Sequence, residues 1–131
     1  MGKINVKVAE LIETQIKLEY DKIPVESGAC RYNFRCQMNA VHDAIKNKDT
    51  ELAMTVCIHK DRYPFIHFVN IHKGKYIDNT LGVWSAEWDY YLIKVIKEED
   101  FFDINTIFTA YKEYLSKYPP FYLRWFSTLE L

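Results

Sequence analysis

Residues 51–80 read ELAMTVCIHKDRYPFIHFVNIHKGKYIDNT, and the spacing of side chains in this run decides the fold class. From Glu51 to Lys60 the side chains alternate, with Leu52, Met54, Val56 and Ile58 on one face and Thr55, Cys57 and His59 on the other. That period of two predicts a β-strand. Asp61-Arg-Tyr-Pro makes a turn, and Phe65–Ile71 reads as a second, mostly apolar strand. His72-Lys-Gly-Lys then makes a tight reversal into Tyr76–Thr80, so the two strands form a hairpin.

Outward from this hairpin the pattern turns helical. Val8, Leu11, Ile12, Ile16 and Leu18 fall mostly at steps of three and four, predicting an amphipathic helix over Val8–Leu18 with Glu10, Glu13 and Lys17 outward. Asp21–Gly28 contains Pro24 and Gly28, and the segment from Asp21 to about Phe34 is expected to be irregular. A second helix begins near Cys36, with Met38, Val41 and Ile45 on one apolar stripe and Ala40 and Ala44 beside it. Trp84–Ile96 has the aromatic and β-branched content of a further strand, and Asp103 can cap a last helix carrying Ile107, Tyr111, Tyr114 and Leu115. The expected class is α+β in a single domain over residues 1–131, with N-terminal helices packed on an antiparallel meander sheet and a C-terminal helix.

Composition narrows the function classes. With 131 residues, 49% hydrophobic, four Gly and four Pro, the chain is a packed protein rather than a disordered or collagen-like one. The 17 basic and 18 acidic residues give a net charge of -1, which provides no global field for nucleic acid or an anionic membrane. Neither partner is expected. Three cysteines without CxxC spacing read as reduced thiols, and the charged N-terminal stretch is no signal peptide, so a cytoplasmic setting is the expectation.

Three residues suit one shared chemistry. Cys36 stands where a helix N-terminus stabilises a thiolate, the nucleophilic form of cysteine. His67 lies mid-strand among Phe65, Ile66, Phe68 and Val69, in an apolar frame that would fix its ring as a base. If Lys73-Gly74 is a two-residue loop, Asp78 opposes Val69 and shares a face with His67, at a diagonal reach of about 7–8 Å. One residue more in the loop would turn Asp78 to the other face. Asn70, three residues from His67, falls on the opposite face and is a poor third member.

Phe34-Arg-Cys-Gln-Met-Asn-Ala, then His67-Phe-Val-Asn, then Gly74-Lys-Tyr-Ile-Asp-Asn-Thr, resembles the Cys…His…Asp series of the transglutaminase-like and papain-like thiol enzymes over about residues 30–82. Val69 stands where that pattern has an aromatic, and Asn79 where it has proline. The resemblance implies a papain-like or transglutaminase-like core in which Cys36 is the nucleophile, His67 the general base and acid, and Asp78 the residue that holds the imidazole. It also implies thiol-dependent acyl transfer on an amide, isopeptide or thioester, as a hydrolase, protease, deamidase or transglutaminase with a protein or peptide substrate.

Tyr32 and Asn33, just before the cysteine, together with Asn39 and Trp84, are the candidate substrate-contacting residues, and Arg31, Tyr32 and Asn33 can all donate to an oxyanion beside the Cys36 amide. Trp88 is an alternative wall for the pocket. No cofactor motif is present, and Cys57 and His59 lack the second ligand pair that a zinc site needs, so neither a cofactor nor a metal is expected. The alternative to an enzyme is a non-catalytic protein-binding module or inhibitor on the same fold. The aromatic end, Tyr118-Pro-Pro-Phe-Tyr-Leu-Arg-Trp-Phe, carries too little positive charge for a nucleic-acid groove and suits core or oligomer packing, with the oligomeric state left open.

Overall fold

The computed structural model describes residues 2–29, 36–59 and 62–119, without the side chains of Gln37 and Arg62. It is an α+β fold. The elements run α1 (Lys3–Glu19), β1 (Asp21–Ile23), β2 (Val25–Ser27), α2 (Cys36–Lys46), β3 (Thr50–His59), β4 (Arg62–His72), β5 (Lys75–Asp78), a 3-10 helix (Gly82–Glu87), β6 (Asp89–Ile96), a second 3-10 helix (Glu98–Asp103) and α3 (Ile104–Ser116).

All six strands of the described residues join one sheet in the order β1-β6-β3-β4-β5-β2. Only β3, β4 and β5 follow one another as a meander; β6 returns to the far side of β3, and β2 runs parallel to β5. The expected meander is corrected to this mixed order. Residues 21–27 are also extended rather than irregular, as β1 and β2 on either side of Pro24.

The two outermost strands are separated by a single residue. Ile23 pairs with Tyr90 at one edge and Val25 with Tyr76 at the other, yet two residues of chain reach only about 7 Å. The sheet therefore curls until one extended segment serves both its edges. Proline suits the changeover, because it needs no donor where the chain leaves one neighbour for the next, and it holds the preceding residue extended.

Curling gives the sheet an inside and an outside. Leu52, Met54, Val56, Ile58, Ile66 and Phe68 face outward into the larger core, where Val8, Ile12 and Ile16 of α1, Ala40 and Ala44 of α2, and Ile104 and Leu115 of α3 cover them. Ala53, Cys57, Val69 and Tyr90, with Ile23, Val25, Phe65, Ile71, Tyr76, Trp88 and Leu92 packed against them, fill the inside as in a small barrel. Both faces of β3 are buried, so its alternation separates two cores rather than core from water.

Two further expectations change. On α2 the buried face is Asn39, Ala40 and Ala44, while Met38 and Ile45 are 59% and 65% exposed. Small residues let this helix lie close to the strands, and the larger apolar ones turn outward. Residues 84–87 form a 3-10 helix instead of the start of a strand, because the chain must cross from beside β4 to beside β3, and Gly82 at φ 55 makes the turn.

Candidate active site

The hairpin between β4 and β5 fixes the register on which the site depends. Lys73 and Gly74 both have positive φ, as a two-residue type I′ turn requires, and His72 pairs with Lys75, Ile71 with Tyr76 and Asn70 with Ile77. This is the register expected from the turn. Pairing stops there: β4 continues back to Arg62, but β5 ends at Asp78. The chain then turns away, with both the Thr80 and Leu81 N–H groups donating to Asp78 Oδ1 at 2.9 Å. Thr80 therefore does not oppose His67; its hydroxyl accepts from Asn39 Nδ2 of α2 at 3.1 Å.

Helix α2 is anchored where β5 leaves β4. Asn70 Nδ2 donates to the Ala40 carbonyl at 2.8 Å and to the Glu51 carbonyl at 3.2 Å, and Asn79 Nδ2 donates to Asn70 Oδ1 at 3.1 Å. Asn70 thus lies on the face away from His67, as its parity demands, and fastens the helix that starts with Cys36.

On the inner face, His67 Nε2 donates to Asp78 Oδ2 at 2.8 Å, with the two residues 2% and 0% exposed. Cys36, half-buried at the first position of α2, is the second hydrogen-bonding partner of the imidazole, which leaves Nδ1 to the thiol. The structure brings Cys36, His67 and Asp78 together. Thr55 Oγ1 donates to the His67 carbonyl at 2.8 Å, and the Phe65 ring stands edge-on to the imidazole at 5.6 Å.

The electrostatics follow from this packing. Burial pulls the His67 pKa down, but hydrogen bonds to Asp78 and Cys36, with their negative charges, outweigh burial and raise it to about 9. Burial pushes Asp78 up, yet the His67 hydrogen bond and charge, the Tyr90 hydroxyl and the Leu81 N–H bring it below the usual carboxylate range. The pair is ionised at neutral pH. Burial, followed by the charge on Asp78, pushes the Cys57 thiol well up, so Cys57 stays protonated in the neutral range.

The other expected contacts divide. Tyr32 and Asn33, with Cys30 and Arg31, lie outside the described residues. Asn39 is buried and holds the turn after β5. Trp84 is 52% exposed on the 3-10 helix, and it is Trp88 that packs beside the site, 4.7 Å from Phe65 and 5.0 Å from His59 between ring centres. Among the described residues no three His, Cys, Asp or Glu side chains gather as a metal ion would need, and no helix is long and apolar enough to cross a membrane.

Tyr90 is the site residue that sequence reasoning missed. Its hydroxyl donates to Asp78 Oδ2 at 2.5 Å across the barrel interior. The signal for it lay in a β3–β6 pairing, Cys57 with Tyr90, which no local pattern announces. No protein-family model, curated protein or solved structure matches the chain.

Proposed function

We propose that the protein is a thiol-dependent acyl-transfer enzyme acting on an amide, isopeptide or thioester of a protein or peptide, on a core of the papain-like or transglutaminase-like kind. The observation that carries this reading is the buried His67–Asp78 hydrogen bond of 2.8 Å, with Cys36 at the helix start as the other partner of the same ring. A protonated imidazole beside a thiol at a helix N-terminus favours the thiolate. Placing the histidine and the aspartate on neighbouring strands, with the cysteine on a helix packed against them, is the arrangement that the sequence resemblance implies.

In the proposed reaction the Cys36 sulfur attacks the carbonyl carbon, and the oxyanion that forms is stabilised by the Cys36 backbone N–H at the first turn of α2. His67 gives its proton to the leaving amine or thiol as the carbon–nitrogen or carbon–sulfur bond breaks, leaving a thioester on Cys36. Water or an amine then attacks that thioester while His67 takes its proton, and Cys36 departs as thiolate. Asp78 keeps Nε2 protonated throughout and aims Nδ1 at the sulfur. Water as acceptor makes a hydrolase or deamidase; an amine makes a transferase.

The test is iodoacetamide labelling of each cysteine as a function of pH, resolved by peptide mass spectrometry, in wild type and His67→Ala. Cys36 is expected to label selectively well below the ordinary thiol range of about 8.5, and His67→Ala is expected to slow it roughly tenfold or more at pH 6. Equal, slow labelling at all cysteines would overturn the enzyme reading and favour a protein-binding module.

A further inference from the structure

Asp78 Oδ2 accepts two hydrogen bonds, one from His67 Nε2 at 2.8 Å and one from the Tyr90 hydroxyl at 2.5 Å. Tyr90 is 2% exposed, and its hydroxyl has a further partner in the Ser85 side chain, itself 2% exposed. Ser85 Oγ is in turn 2.8 Å from Ser27 Oγ at the exposed end of β2. A row of hydroxyls therefore runs from the protein surface through the barrel interior to the carboxylate that orients the imidazole. Hydrogen bonds in such a row polarise one another when all point the same way, here with Ser85 donating to Tyr90 and Tyr90 to Asp78.

We propose that Tyr90 is a positioning residue of this site, its buried hydroxyl holding Asp78 Oδ2 against His67 and drawing off part of the charge that the imidazole feels. The inference deepens the acyl-transfer reading and rests on it for its catalytic meaning. Three features carry it. The oxygen is shared, so any change in the Tyr90 bond is felt at His67 without an intermediary. Asp78 Oδ1 is independently fixed by the Thr80 and Leu81 N–H groups, so Tyr90 is not needed merely to satisfy the carboxylate. Burial, with the negative charge of Asp78 and the bond to it, keeps the phenol protonated, so it acts as a donor throughout the neutral range.

Among the described residues, four titratable groups bear on this carboxylate and its ring. His67 comes from β4, Tyr90 from β6 and Cys57 from β3, and Cys36 of α2 bonds the ring of His67. Cys57 stays neutral, and Tyr90 is the group whose removal changes Asp78 without altering charge. Loss of its donation concentrates negative charge on the oxygen that meets His67, so the imidazolium persists to higher pH.

The experiment is the titration of the His67 ring, followed by nitrogen-15 NMR of the full chain, in wild type and Tyr90→Phe, alongside the pH profile of Cys36 alkylation. In Tyr90→Phe the His67 midpoint is expected to rise by about 0.5–1 pH unit, and the upper limb of the alkylation profile to follow it. A packing role alone would leave both where they were, and a midpoint that moves by less than about 0.2 unit, or downward, overturns the proposal. Replacing Tyr90 with difluorotyrosine, a stronger donor of nearly the same shape, is expected to move the midpoint the other way. That variant decides the matter should Tyr90→Phe fail to fold. The two readings fail separately: unselective Cys36 labelling in wild type removes the enzyme, whereas the NMR midpoints judge Tyr90 whatever Cys36 does.

Discussion

The outer and inner faces of the curled sheet are both buried, and they are built on opposite terms. Outside, Leu52, Met54, Val56, Ile66 and Phe68 meet apolar side chains from three helices. Inside, a smaller apolar set surrounds His67, Asp78, Thr55 and Tyr90, all between 0% and 2% exposed. Burying such groups costs free energy unless each finds a partner, and among the described residues every buried side-chain nitrogen and oxygen has one. The outer face supplies the stability; the inner face uses part of it to hold an ion pair in a fixed geometry beside a thiol.

The largest effect that separates the faces is expected from Phe68→Ala. Phe68 is 1% exposed and sits next to His67 in the chain, but it points outward, toward Phe108 of α3 at 6.2 Å between ring centres. Truncation leaves a cavity in the larger core and is expected to cost about 3–5 kcal/mol in urea denaturation. The pH profile of Cys36 alkylation is expected to stay unchanged. If that profile moves by more than a few tenths of a unit, the two faces are coupled and the division drawn above is wrong.

A smaller effect belongs to the inner face and depends on pH. The folded chain raises His67 from 6.5 to about 9, so it favours the charged ring. That contribution is fully present below pH 6.5 and is lost as pH rises through about 9, by no more than about 3 kcal/mol. Asp78 is lowered from 3.8, so its contribution is present above pH 3.8 and is lost as pH falls through its folded value. Unfolding measured across this range is expected to show a plateau with a loss on each side, and Asp78→Asn is expected to flatten the alkaline side. Stability that stays level from pH 6.5 to beyond 9 in wild type would count against a buried charged pair.

Much of this was legible in the sequence because it rests on local rules. The I′ turn at Lys73-Gly74 sets the β4–β5 register, and the register puts Asp78 and His67 on one face. The start of α2 at Cys36 follows from the apolar spacing after it, although that spacing named the wrong buried face: on α2 proximity to the sheet favours Ala40 and Ala44 over Met38 and Ile45. What stayed hidden is non-local. A three-residue strand on each side of Pro24 carries no periodic signal, yet those strands close the barrel. Tyr90 reads as one aromatic in a strand until β6 is known to pair with β3, and Asn70, rightly set aside as a partner for His67, gave no hint that it anchors α2 through Ala40.

The smallest expected effect lies where the two faces meet, at Gly28. Its N–H donates to the Asp78 carbonyl at 2.9 Å, just beyond the β2–β5 pairing that closes the sheet. A Cβ there would lie 2.1 Å from Asn79 Oδ1, 2.6 Å from Ile77 Cγ2 and 3.0 Å from the Asp78 carbonyl oxygen, so alanine cannot enter without displacing something. Asn79 is the softest of the three, but it is also engaged, accepting from the Ala29 N–H and donating to Asn70, which in turn holds α2. Gly28→Ala is therefore expected to cost about 1–3 kcal/mol by overpacking and to slow Cys36 alkylation by loosening the helix that carries it. Pairing it with Asn79→Ala separates the causes. If steric displacement of Asn79 is the route, the double variant loses less than the two single changes added together; simple additivity would mean that Gly28 acts on the barrel seam alone.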